Sequence, residues 1–135
     1  MTTITLPEVN DNHYGDDQLF WRGIEIFSNI RLLECSWEWK DQGWGNRKGC
    51  VFVHLVRGEE SIASHRIGDI AEHENQKVDL KIGWNESEVL QQSQCGDKLV
   101  FKYSVGGGGG HRLYINNCSI TFYSAPTKSA RSVVR

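Results

Sequence analysis

Apolar and polar side chains alternate with a period of two along most of this chain, the signature of half-buried strands. The clearest stretch is 77–84, where Val78, Leu80, Ile82 and Trp84 oppose Lys77, Asp79 and Lys81. Residues 30–39 finish in the same rhythm, with Cys35, Trp37 and Trp39 opposite Glu34, Ser36 and Glu38. Residues 98–105 put Leu99, Phe101, Tyr103 and Val105 on one face. The run 50–57 is apolar on both faces, as an interior strand should be. Segments 3–6, 19–27 and 62–67 predict further strands. Towards the end of the chain the apolar phase slips from odd positions (Leu113, Ile115) to even ones (Cys118, Ile120, Phe122). One extra residue must therefore be absorbed at Asn116-Asn117, by a bulge or a turn.

The rhythm breaks at 85–94. Asn85 followed three residues later by Glu88 resembles a capping box and predicts one or two helical turns. The polar cluster 10–17, Ser28-Asn29, Gly96-Asp97 and the five-glycine run 106–110 read as turns or connectors. Eight or so short strands, glycine turns and at most one short helix predict an all-β fold, an antiparallel β-sandwich with jelly-roll topology. No internal repeat supports a propeller or trefoil. Residues 1–123 are expected to form the single sandwich domain. Residues 124–135, with Lys128, Arg131 and Arg135 but few large apolar side chains, are expected to be a flexible basic tail.

Composition narrows the function classes. A chain of 135 residues is one ordinary domain. Its net charge of -2, with both signs spread along the chain, argues against a nucleic-acid partner, which would need a basic stripe. No apolar run is long enough for a membrane span. The start MTTITLPEVN has neither the basic nor the apolar region of a secretory signal, so a cytoplasmic location is expected. In that compartment Cys35, Cys50, Cys95 and Cys118, which show no CxxC pair, are expected to be free and mostly buried.

Catalytic and metal chemistry find little purchase. The five histidines form no HxH or HExxH, and Asp11, Asp16 and Asp17 do not follow the ligand spacing of an EF-hand. His54, between Phe52 and Val56, reads as a core histidine. There is no GxSxG, and each cysteine lies in or beside a strand-like run. No enzyme activity, metal or cofactor is expected. The glycine run is not a phosphate loop, because His111-Arg112 and a strand follow it in place of Lys-Ser/Thr and a helix. Its bare backbone connects two strands and leaves room for a ligand, with His111 or Arg112 at the rim.

Residues 36–49, SWEWKDQGWGNRKG, hold three of the five tryptophans. Trp37 and Trp39 share the face of Cys35 and belong to a strand. Trp44, between Gly43 and Gly45, lies outside any alternation and reads as a loop tip. A hexose stacks its apolar face on such a ring while Asp, Gln, Asn and Arg side chains bond its hydroxyls, and a site built to pair a hydroxyl rejects ligands that lack it. Asp41, Gln42, Asn46 and Arg47 are the right types around Trp44, although they could equally bond within the loop and fix its shape.

The DQGWGN run of residues 41–46, the following CVFVHL, and the later GDKLVFKY leading through a loop to a final strand resemble galactose-binding-like β-sandwich modules. The resemblance follows the order of elements over residues 24–123. Ligands of such modules lie at loops on one end of the sandwich. That implies a site made of Asp41, Gln42, Trp44, Asn46 and Arg47 together with Gly109, Gly110, His111 and Arg112, provided both loops leave the same end. The expected function is a non-enzymatic, lectin-like domain for a galactose-type or related hexose on a glycan or glycoprotein, with a homodimer as one route to avidity. The alternative is an intracellular protein–protein interaction module using the same aromatic surface.

Overall fold

A computed structural model describes residues 1–12, 18–43, 48–106 and 111–125. Trp44, Asn46, Arg47, Gly109, Gly110 and the tail from residue 126 onward lie outside the described residues. The strands are β1 (Thr2–Thr5), β2 (Val9–Asp11), β3 (Gln18–Glu25), β4 (Ile30–Asp41), β5 (Cys50–Arg57), β6 (Glu60–Ile67), β7 (Gln76–Gly83), β8 (Lys98–Ser104) and β9 (Leu113–Ser124). A single 3-10 turn (Trp84–Glu86) and a short helix α1 (Glu88–Gln92) separate β7 from β8. Among the described residues no helix is long and apolar enough to cross a membrane.

One antiparallel sheet runs β1-β9-β4-β7, with β2 also paired to β9; the other runs β3-β8-β5-β6. Between β1 and β2 lies Pro7, which cannot donate a ladder hydrogen bond, so the two behave as one interrupted strand beside β9. With that strand counted once, the chain crosses between sheets at every connection except the β5–β6 hairpin. Eight strands wrapped in this way are a jelly roll.

The inner faces carry the core that the alternation foretold. Leu33, Cys35, Trp37 and Trp39 of β4 meet Val51, Val53 and Leu55 of β5 and Leu99 and Phe101 of β8, all buried. Trp37 and Trp39 stack edge to face, with centroids 5.3 Å apart and planes at 73°. On β9 the expected phase slip is a bulge. Ser36 pairs with Ser119 but Glu38 pairs with Asn116, so Asn117 and Cys118 together oppose Trp37. Asn117 takes φ 50°, which asparagine tolerates better than most residues, and donates from Nδ2 to Glu38 Oε2 at 2.6 Å. The bulge lets Leu113, Ile115, Cys118, Ile120 and Phe122 all point inward.

Three expectations need correcting. Trp84 does not continue the inward face of β7. It opens the 3-10 turn and lies under the Arg31 guanidinium, 5.2 Å from its centroid, because Gly83 is the last residue paired with β4. The capping box also starts earlier than Asn85: the carboxylate of Glu86 accepts the Gly83 N–H at 3.4 Å, and α1 begins only after Ser87. His54 is not in the core. It shares the half-buried outer face of β5 with Phe52 and Val56, and its Nδ1 contacts Ser61 Oγ at 3.0 Å. The four cysteines are free; Cys35, Cys50 and Cys118 are buried and Cys95 is exposed. Burial pushes the Cys118 thiol up to about 12.

The β3–β4 turn is anchored by polar bonds. Asn29 Nδ2 donates to the carbonyls of Leu90 at 2.8 Å and Ser93 at 2.7 Å, and Ser93 Oγ accepts the Ile30 N–H at 2.8 Å. This ties the β3–β4 turn to α1. Beside it, buried Asp97 accepts Arg57 Nε at 2.8 Å and Nη2 at 2.9 Å. The Arg57 hydrogen bonds hold the Asp97 carboxyl below its ordinary range, helped by the Gln94 N–H. A depressed folded-state pKa stabilises above the unfolded value of about 3.9, and the contribution is lost as pH falls through the folded value. Asp97→Asn is therefore expected to lose about 2 kcal/mol at neutral pH, a figure kept low because Arg57 can rehydrate. Urea midpoints taken at pH 7 and at successively lower pH should show the gap to the wild type closing below about pH 4; a gap independent of pH would contradict this assignment.

Candidate functional site

β4 ends at Asp41, and the bonds made there fix how Gln42 and Gly43 leave the strand. Asp41, opposite Leu113 of β9, is 1% exposed. Its N–H donates to the Glu72 carbonyl at 2.8 Å. Its Oδ1 accepts the Gly43 N–H at 2.8 Å and lies 2.8 Å from His73 Nδ1. A short carboxylate that reaches the backbone N–H two residues on closes an Asx turn. Asp41 is thus turned inward, bonded within its own turn and to His73. Its Oδ2 is buried with no hydrogen-bond partner among the described residues.

Gln42 reaches across to the other loop, its Oε1 accepting the Arg112 N–H at 3.3 Å. Gly106 has φ 126°, and a Cβ there would sit 2.8 Å from Lys48 Cβ, so only glycine lets the backbone pass this close. These two approaches bring Gln42 and Lys48 beside Gly106 and Arg112 at one end of the sandwich. His111 is half-buried, and its Nδ1 is buried with no partner among the described residues. Arg112 extends from the same loop and donates from Nη1 to Asn10 Oδ1 at 2.6 Å. Below them the Tyr103 hydroxyl donates to Asp11 Oδ2 at 2.6 Å, a bond that joins β8 of one sheet to β2 of the other. Burial, and then Asp11, push the Tyr103 phenol well up, so it stays a donor at all ordinary pH.

The expected residues Gln42, His111 and Arg112 are therefore brought together, with Asp41 beneath them. Sequence reasoning missed His73, which braces Asp41, and the row Asn10, Tyr114 and Lys40. Tyr114 pairs with Asn10 on one side and Lys40 on the other, and the ring carries Lys40 Nζ at 5.2 Å and Arg112 Cζ at 5.9 Å from its centroid. Among the described residues no cluster of three His, Cys, Asp or Glu side chains could hold a metal.

A well-formed depression lies elsewhere, on the outer face of β9, β4 and β7, with a volume of about 460 Å³. Ser36 and Ser119, paired across β4 and β9, make its floor because they are short where Glu34, Asp79, Lys81 and Thr121 are long. Its Glu34 carboxylate is already engaged. The Tyr123 hydroxyl bond, with Lys81 Nζ 3.5 Å away, holds the Glu34 carboxyl below its ordinary range. The hollow offers no aromatic wall, whereas the loop end combines a ring with unengaged polar atoms. Size alone therefore does not outweigh the chemistry of the loop end.

No family model and no curated protein matches this sequence. Likeness appears among solved structures. A chain of the infectious bursal disease virus VP2 subviral particle superposes with a TM-score of 0.50 at 12% identity, over 91% of this chain and 32% of that one. A cyclase from Fischerella sp. TAU, in complex with 4-(1H-indol-3-yl)butan-2-one, gives a TM-score of 0.39 at 13% identity, over 82% of this chain and 57% of that one. This chain thus spans about a third of the viral chain's length. At such identities the viral likeness is one of fold: this chain is similar to it in its antiparallel β-sandwich.

Proposed function

We propose that this domain is a non-enzymatic, lectin-like binder of a galactose-type or related hexose, acting at the end where Gln42 and Lys48 lie beside Gly106 and Arg112. The observation that carries the reading is their juxtaposition, through the Gln42–Arg112 bond and the approach of Gly106 to Lys48. It supports the galactose-binding-like resemblance, which calls for a ligand site built from both of these connections. A sugar needs an apolar plate and convergent hydrogen-bonding groups. Gln42, His111 and Arg112 supply the groups, and Trp44, which lies outside the described residues, is the plate that the sequence nominates. The Asp41 turn keeps the start of the loop in one shape, which lowers the ordering cost of binding.

Titration calorimetry of the full chain with methyl galactoside at millimolar concentration tests this, with a glycan array to name the preferred sugar. Binding should appear and weaken by about tenfold or more in Trp44→Ala, the equivalent of ~1.4 kcal/mol. Absence of heat with every monosaccharide at that concentration, together with an empty array, would sink the reading. A protein partner captured by the wild type and lost in the same variant would then favour an interaction module.

A further inference from the structure

Lys40 and Arg112 converge on one ring. Lys40, the penultimate residue of β4, stands directly opposite Tyr114 of β9, with Nζ 5.2 Å from the ring centroid. Arg112, two residues before Tyr114 and just ahead of β9, has its Cζ 5.9 Å from the same centroid. Arg112 is fixed at two points: its N–H donates to Gln42 Oε1 at 3.3 Å and its Nη1 to Asn10 Oδ1 at 2.6 Å. Asn10, Tyr114 and Lys40 thereby form one row across β2, β9 and β4.

Both acceptors that hold Arg112 are neutral amide oxygens. They satisfy its geometry and leave its charge unmatched. Further along the same outer face cations do find acids: Lys81 lies 3.5 Å from Glu34, and Lys77 lies 4.0 Å from Asp79. Lys40 and Arg112 have no carboxylate partner among the described residues. Both cations lie within about 6 Å of one ring centroid, so an anion seated beside that ring is attracted by both. A guanidinium held by its edge still offers N–H donors to a planar carboxylate or a sulfate. The chain's net charge is -2, so this is a local basic feature and not a general polyanion surface.

We infer that the row formed by Lys40, Tyr114 and Arg112 is an oxyanion subsite. It accepts the carboxylate or sulfate of an acidic sugar, whose carbon skeleton rests against Tyr114. The inference builds on the carbohydrate reading and narrows its ligand class from neutral hexoses to uronic or sulfated ones.

Calorimetry and amide chemical-shift titration of the full chain with galacturonate, methyl galactoside and sodium sulfate separate the two readings. Galacturonate should bind about tenfold more tightly than the galactoside at low salt, as expected for a charge-assisted pair of bonds. That advantage should shrink in 0.5 M sodium chloride, where the screening length falls to a few ångströms (roughly 4 Å). Lys40→Gln, a change at an exposed strand position whose folding a thermal melt checks, should bring the ratio of the two affinities toward one. Equal or stronger binding of the galactoside, or a preference that Lys40→Gln leaves intact, overturns the inference while the carbohydrate reading survives. Sulfate that shifts Lys40, Arg112 and Tyr114 while neither sugar binds upholds the anion site and removes the carbohydrate reading. Silence with all three probes overturns the inference.

Discussion

Trp37→Ala is expected to cost about 3–5 kcal/mol of folding stability, the range for removing a large aromatic side chain from a core. The indole is 1% exposed and meets Trp39 edge to face at 5.3 Å. Its strand cannot shift to fill the void. β4 is interior, paired with β9 on one side and β7 on the other, and Trp37 sits where the β9 bulge already departs from regular pairing. The loss should be smaller for Trp37→Phe. The Trp37 indole N–H is buried without a hydrogen-bond partner among the described residues, so phenylalanine sheds an unsatisfied donor while keeping one ring. Urea unfolding of the three proteins checks both points. Equal losses for the alanine and phenylalanine variants would show that ring packing is not what Trp37 contributes.

Gly23→Ala is expected to cost about 3 kcal/mol, combining backbone strain with overpacking. Gly23 lies in edge strand β3 at φ 108°, a conformation that side chains rarely adopt. A Cβ there would stand 2.7 Å from the Leu99 carbonyl oxygen and 3.0 Å from Val100 Cγ2. The first of these is backbone in β8, which is fixed between β3 and β5 and cannot yield cheaply. The glycine lies within the irregular register between Trp21 and Ile24, where β3 bends along its neighbour. A thermal melt is sufficient to test this. An unchanged midpoint would mean that β3 can peel from β8 without cost, and the close approach of Gly23 to Leu99 would have no energetic weight. Gly58, which has open space around it, is the matching control for strain without a clash.

Much of the sandwich was legible because its strands bury one face. The β5 bounds 50–57 follow from a continuous apolar run, and the extra residue at Asn116-Asn117 follows from phase, since a one-residue slip would turn Cys118, Ile120 and Phe122 outward. The strand β2 was not legible. Val9–Asp11 has three residues in a polar run, and it is extended only because it pairs with Leu113–Ile115. Trp84 was misplaced for the complementary reason: alternation continues through it, but the pairing that gives alternation its meaning stops at Gly83. The site divides in the same way. Gln42, His111 and Arg112 could be nominated from residue types around glycine turns. The inward turn of Asp41 depends on His73, thirty-two residues away, and the Lys40–Tyr114–Asn10 row exists only once the register of three strands is known. No local pattern encodes either.

The measurement that bears most directly on the account is where a sugar lands. Amide chemical shifts of the full chain, followed during titration with a galactoside and with galacturonate, should move first at Gln42, Gly43, Gly106, His111, Arg112 and Tyr114. Shifts confined to Ser36, Asp79, Lys81 and Ser119 would move the site to the sheet face and contradict the account, as would a spectrum that no sugar changes.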